Sequence, residues 1–105
     1  MAELPPLFAD VWPICRDDAV ALAAAFQVLA DPTRLHIISL FTRFPEMTNT
    51  DVADYVPLSQ PSISHQMAIL ARSGLIERRR EGVWSVYRLV PDRFAELAAT
   101  LRGAR

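Results

Sequence analysis

The sequence predicts a mainly α-helical domain with one β-hairpin near its C-terminal end, an α+β class. Three observations predict it. Apolar residues recur at helical spacing over most of the chain, as in Ile63, Met67 and Leu70. Prolines punctuate the joints between these stretches, at Pro13, Pro32, Pro45, Pro57 and Pro91. Ile76 to Val90 breaks the helical period with two β-prone runs around Glu81-Gly82, a two-residue hairpin turn. The expected order is five helices, two strands and a sixth helix.

The elements follow in turn. Leu4 to Trp12 suggests a short first helix, spanning about residues 4–14, after Pro5-Pro6 and ended by Pro13. Asp17 or Asp18 is expected to cap the second helix, where Ala19, Leu22, Ala23, Phe26 and Ala30 follow the 3.6-residue period. Asp31-Pro32 reads as N-cap and first-turn proline of the third. Leu35, Ile38 and Phe41, with Ile37, Leu40 and Phe44, should make it the most buried helix. His36 within it suits a core or boundary role better than a ligand. Thr48 or Asn49 caps a short fourth helix holding Val52, Ala53 and Val56, and Pro57 ends it. Ser59 caps the fifth, with Gln60 and Pro61 in its first turn, where proline's missing N–H costs nothing. Gly74 suits the left-handed position closing that helix, with Leu75 as its apolar contact. On the return strand Tyr87 and Leu89 are the core candidates. Phe94, Leu97, Ala98 and Leu101 give the last helix, about residues 91–102, its apolar stripe.

Length and composition narrow the function. The 105 residues suffice for one domain, and 51% are hydrophobic, which argues against disorder. One cysteine, Cys15, excludes a disulfide framework within the chain. The longest apolar run, Ala19 to Phe26, is far short of the ~18 residues of a membrane span. The N-terminus is acidic and proline-rich, unlike a signal peptide. These features point to a cytoplasmic protein with no membrane partner. The net charge of -1 hides an asymmetry: residues 1–58 hold three Arg against eight acids, residues 59–105 eight Arg against four. The basic half contains the fifth helix and the hairpin. All cations are arginine, the side chain suited to phosphate and guanine, although genome composition alone can produce that bias.

Two short helices joined by a tight turn form a helix-turn-helix, and a hairpin behind them makes a winged helix. Opposite Ile63, Met67 and Leu70, the fifth helix presents Pro61, His65, Ala68 and Arg72, flanked by Ser62 and Ser64, with Gln60 in its first turn. That face is small, polar and not acidic, so it can approach base edges and offer hydrogen bonds. A plain solvated surface helix would look similar by itself. Arg78, Arg79 and Arg80 precede the hairpin turn and can straddle a phosphate backbone, or merely guard an edge strand. Their position directly behind the polar helix favours DNA contact. The stripes of the two terminal helices exceed what one small core covers. Phe8, Trp12, Phe94, Leu97 and Leu101 are therefore expected at the interface of a two-fold homodimer. No paired carboxylate–His arrangement, phosphate-binding glycine loop or activated nucleophile speaks for an enzyme.

The segments ADPTRLHIISLF, LSQPSISHQMAILARSGLI and RRREGVWSVYRL give residues 17–102 a resemblance to the ArsR/SmtB family of winged-helix transcriptional regulators. The resemblance implies a dimer on an imperfect palindrome in double-stranded DNA, usually a repressor released by a metal ion or another effector. It places DNA contacts at Gln60, Ser62, Ser64 and His65, with the wing near Arg79 to Trp84. The family's thiolate pair falls on Thr48 and Thr50, and Phe94 stands where a histidine ligand of its last-helix site would be. Neutral hydroxyls are poor ligands for soft metals. Cys15 is the remaining candidate, as one ligand of a dimer-bridging metal site or as an incidental thiol. A divalent metal effector, a non-metal ligand and a separate sensor protein stay open, as does activation in place of repression. A winged helix that binds protein rather than DNA is the rival of another class.

Overall fold

The computed structural model describes the backbone of residues 13–103 and the side chains of residues 13–99. The expected first helix and its Phe8 and Trp12 lie outside the described residues. Five helices and three strands follow: α1 (Arg16–Leu29), α2 (Pro32–Leu40), β1 (Met47–Thr48), α3 (Asn49–Ala53), α4 (Gln60–Arg72), β2 (Ile76–Glu81), β3 (Trp84–Leu89) and α5 (Pro91–Gly103). The strands form one antiparallel sheet in the order β1-β3-β2. The two-residue β1 was not expected, because an alternation needs more residues than that to register.

Local chemistry places the helix ends. Asp31 Oδ2 accepts the Arg34 N–H at 3.0 Å and Pro32 opens α2. At α3 the Thr48 hydroxyl accepts the Asp51 N–H at 3.1 Å while Asp51 Oδ2 accepts the Thr48 N–H at 2.9 Å, a reciprocal capping box. Ser59 caps α4 by accepting the Ser62 N–H at 3.3 Å. Beyond Arg72, Gly74 takes φ 82°, its N–H reaches the Ala71 carbonyl, and the Leu75 N–H reaches that of Leu70. This double bond pattern is the Schellman closure, and only glycine adopts its backbone without strain.

Four local expectations are corrected. Neither Asp17 nor Asp18 caps α1: Cys15 holds the cap position without a side-chain bond, and both acids sit in the first turn near the positive helix end. The hairpin turns at Gly82-Val83, not Glu81-Gly82, since Glu81 pairs with Trp84. Gly82 has φ 60° while Val83 is not left-handed, the signature of a type II′ turn with glycine first. Val56 is buried but lies beyond α3, in the turn to α4. Leu35 is half exposed, and α4 rather than α2 is the most buried helix, with Ile63, Met67 and Leu70 at 0% exposure.

The core gathers Leu22, Ile37, Phe41, Met47, Val52, Ile63, Met67, Leu70, Leu75, Ile76, Tyr87 and Leu97. Leu97 is only 5% exposed within the single chain, so its burial needs no second copy. Phe94 is half-buried against the same core. Leu101 lies outside the described side chains.

Candidate nucleic-acid interface

Helix α4 turns three fully buried side chains inward and leaves Pro61, Ser62, Ser64, His65, Ala68 and Arg72 exposed, as the wheel predicts, and Gln60 in its first turn is exposed as well. No acid stands in its first turn. Two tethers from other elements hold it. Asn49, at the start of α3, donates from Nδ2 to Ser64 Oγ at 3.0 Å. Arg34, in α2, donates from Nη1 to Gln66 Oε1 at 3.1 Å and from Nε to the Val28 carbonyl at 2.6 Å. One guanidinium thus ties the end of α1 to the middle of α4. Sequence reasoning missed Asn49, Arg34 and Gln66, since their partners are remote in the chain and no spacing marks them.

The wing sorts its charges by face. Alternation puts Ile76, Arg78 and Arg80 on one face of β2, opposite Leu89, Tyr87 and Ser85. Ile76 and Tyr87 are buried, so this is the face that packs on the body of the domain, where α4 meets β2. Arg78 and Arg80 are exposed and enter no ion pair among the described residues. Glu77, Arg79 and Glu81 take the other face, opposite Arg88, Val86 and Trp84. There Arg79 reaches Glu46 at 2.6 and 3.1 Å and Glu81 at 2.8 Å, and Arg88 pairs with Glu77.

The hydrogen bond from Arg79 holds the Glu46 carboxyl below its usual range, and the Glu46 and Glu81 carboxylates raise the Arg79 guanidinium further above its own. The three adjacent arginines are therefore not equivalent. Among the described residues the structure leaves Arg78, Arg80 and Arg72 as unpaired cations and commits Arg79 to a clamp between β1's approach and the hairpin.

The family's metal positions do not fit a soft metal. Thr48 is engaged on both sides of its capping box, Thr50 is an exposed hydroxyl residue, and Phe94 packs on the core. Cys15 is exposed at the start of α1. Among the described residues no group of three His, Cys, Asp or Glu side chains is placed to hold a metal ion. No described helix is long and apolar enough to cross a membrane.

A helix-turn-helix with a polar outward helix, backed by a hairpin with unpaired arginines, defines a winged-helix DNA-binding protein. The comparisons make the family specific. The model of the arsR family of bacterial regulatory proteins matches residues 31–78. An uncharacterized HTH-type transcriptional regulator of Methanocaldococcus jannaschii is 37% identical over 75 residues, 71% of this chain and 84% of its own length. The arsenical resistance operon repressor of Escherichia coli is 42% identical over 66 residues, 63% of this chain and 56% of that repressor. The crystal structure of the AntR antimony-specific transcriptional repressor superimposes with a TM-score of 0.71 at 28% identity, covering 97% of this chain and 93% of the other. The chain belongs to the ArsR/SmtB family of DNA-binding transcriptional regulators.

Proposed function

We propose that this regulator is a cytoplasmic homodimeric repressor that binds an imperfect palindrome in double-stranded DNA and is released by an effector. One observation carries the reading: the exposed polar face of α4 and the unpaired Arg78 and Arg80 belong to one continuous part of the domain, where α4 packs on β2. Gln60, Ser62, Ser64 and His65 read base edges; Arg72, Arg78 and Arg80 hold phosphates; Arg79 keeps the wing in shape. Phe94 and Leu101, with Phe8 and Trp12, form the subunit contact, and Leu97 supports α5 from the protomer core.

The effector is not a soft metal held at Thr48 and Thr50, whose hydroxyls are poor ligands and, at Thr48, already engaged. Sensing falls to a non-metal ligand, to a site including Cys15, or to a partner protein. Anisotropy titration of the DNA upstream of its own coding sequence tests the reading. The expected result is dimer-stoichiometric, salt-dependent binding that competitor DNA of random sequence does not abolish. Binding that is absent at low salt, with capture of a protein partner instead, would support the rival interaction module. Sedimentation should show a dimer at micromolar concentration, and Phe94→Glu a monomer. Isothermal titration with zinc, cadmium or arsenite should give weak binding that Thr48→Ala plus Thr50→Ala leaves unchanged.

A further inference from the structure

Asn49 is an awkward choice for the first turn of α3. It is a weaker helix former than alanine, and its Oδ1 is buried with no hydrogen-bond partner. A residue serving the helix alone would avoid that orphaned acceptor. Its one described side-chain bond runs from Nδ2 to Ser64 Oγ at 3.0 Å, joining the two helices of the helix-turn-helix across 15 residues of chain. Ser64 is exposed on the outer face of α4.

A serine hydroxyl has one proton and two lone pairs. The Asn49 amide can only donate from Nδ2, so it occupies a lone pair of Ser64. No described acceptor takes the Ser64 proton, not even a carbonyl of its own helix. The O–H and one lone pair are thus left for a further partner, and accepting from the amide polarises the O–H into a stronger donor. In the major groove a donor matches purine N7, guanine O6 or thymine O4 and not the exocyclic amines of adenine or cytosine.

We infer that Asn49 is a positioning residue for DNA reading: by occupying one lone pair of the Ser64 hydroxyl it favours donation over acceptance there, and so biases one base pair of the operator toward an acceptor edge. The inference rests on the placement of Ser64 in the DNA interface proposed above. Asn49 itself need not touch DNA. Its part in recognition is carried through a single hydroxyl.

The test uses the full chain and a short duplex carrying the sequence that wild type enriches from a random library, read by anisotropy. Ser64→Ala should weaken binding about three- to tenfold, the range of one hydrogen bond. Asn49→Ala should lose a similar factor and relax preference at the same base pair. The double variant should bind no worse than Ser64→Ala alone, because the two residues act as one unit. Asn49→Asp is the second variant. A carboxylate there can only accept, so it draws the Ser64 proton inward and should shift preference at that base pair toward an exocyclic amine. Thermal unfolding confirms that each variant is folded. Additive losses in the double variant, an equal loss at every base pair, or wild-type binding by Asn49→Ala would each overturn the inference while the interface stands. Wild-type binding by Ser64→Ala would overturn the inference and the placement of Ser64 together.

Discussion

Helix α4 and the wing both face the proposed DNA, yet they are held by different forces. Helix α4 is anchored by three side chains with no exposure at all, plus two polar tethers. The hairpin from Glu77 to Arg88 has little burial beyond Ile76 and Tyr87, and Val83 at its tip is 85% exposed. Its outer face is held by ion pairs between exposed groups. Apolar burial is not subject to charge screening, whereas exposed ion pairs are weak and screened. The rigid element is therefore suited to base reading, which tolerates little displacement. The compliant one suits phosphate contact, where position is less exacting.

Four changes probe that contrast, from the largest expected effect down. Met67→Ala empties a fully buried site under α4 and should cost about 2–5 kcal/mol in chemical denaturation. A loss well under 1 kcal/mol would mean that burial does not anchor the helix. Gln60→Ala or His65→Ala should leave stability unchanged and cost about 1–3 kcal/mol on the preferred sequence, with little change on random DNA. Equal losses on both would move these residues from base readers to phosphate contacts.

The wing divides its arginines in the third prediction. Arg78→Ala and Arg80→Ala should each lower the slope of log K against log salt by about 0.9. Arg79→Ala should leave that slope nearly unchanged and instead speed amide hydrogen exchange in the hairpin. A slope change for Arg79 equal to its neighbours' would show that DNA competes it away from Glu46 and Glu81. The smallest effect is in acid. The Glu46 pKa is depressed in the folded chain, so its contribution is present above the unfolded value of about 4.5 and is lost as pH falls through the lower folded value. Carboxyl titration by NMR should place Glu46 below that value in wild type and return it upward in Arg79→Ala. An unchanged midpoint would remove Arg79 as the cause.

The contrast also explains what was legible beforehand. The buried stripe of α4, its Ser59 cap and its Gly74 closure follow from neighbours within a few residues, so periodicity and capping rules find them. The exposed face proposed to meet DNA is largely the complement of that stripe and is equally legible. The Arg79 clamp is not, because Glu46 lies 33 residues away and is joined only when β1 pairs with β3. The turn lies one residue beyond the sequence expectation, because Glu81-Gly82 and Gly82-Val83 both contain glycine. Register decides between them, and cross-strand packing sets register. Leu35 carries a helical period but faces solvent, since a period shows which residues share a face and not what covers that face.

The sequence alone determined the described helices, the hairpin, the exposed polar face of α4 and the family, because each rests on short-range backbone rules or contiguous motifs. Tertiary structure alone decided which of three adjacent arginines pairs with carboxylates, that Leu97 belongs to the protomer core, and that Asn49 and Arg34 reach α4. Those outcomes depend on which distant groups the packed core brings within about 3 Å, the reach of a hydrogen bond.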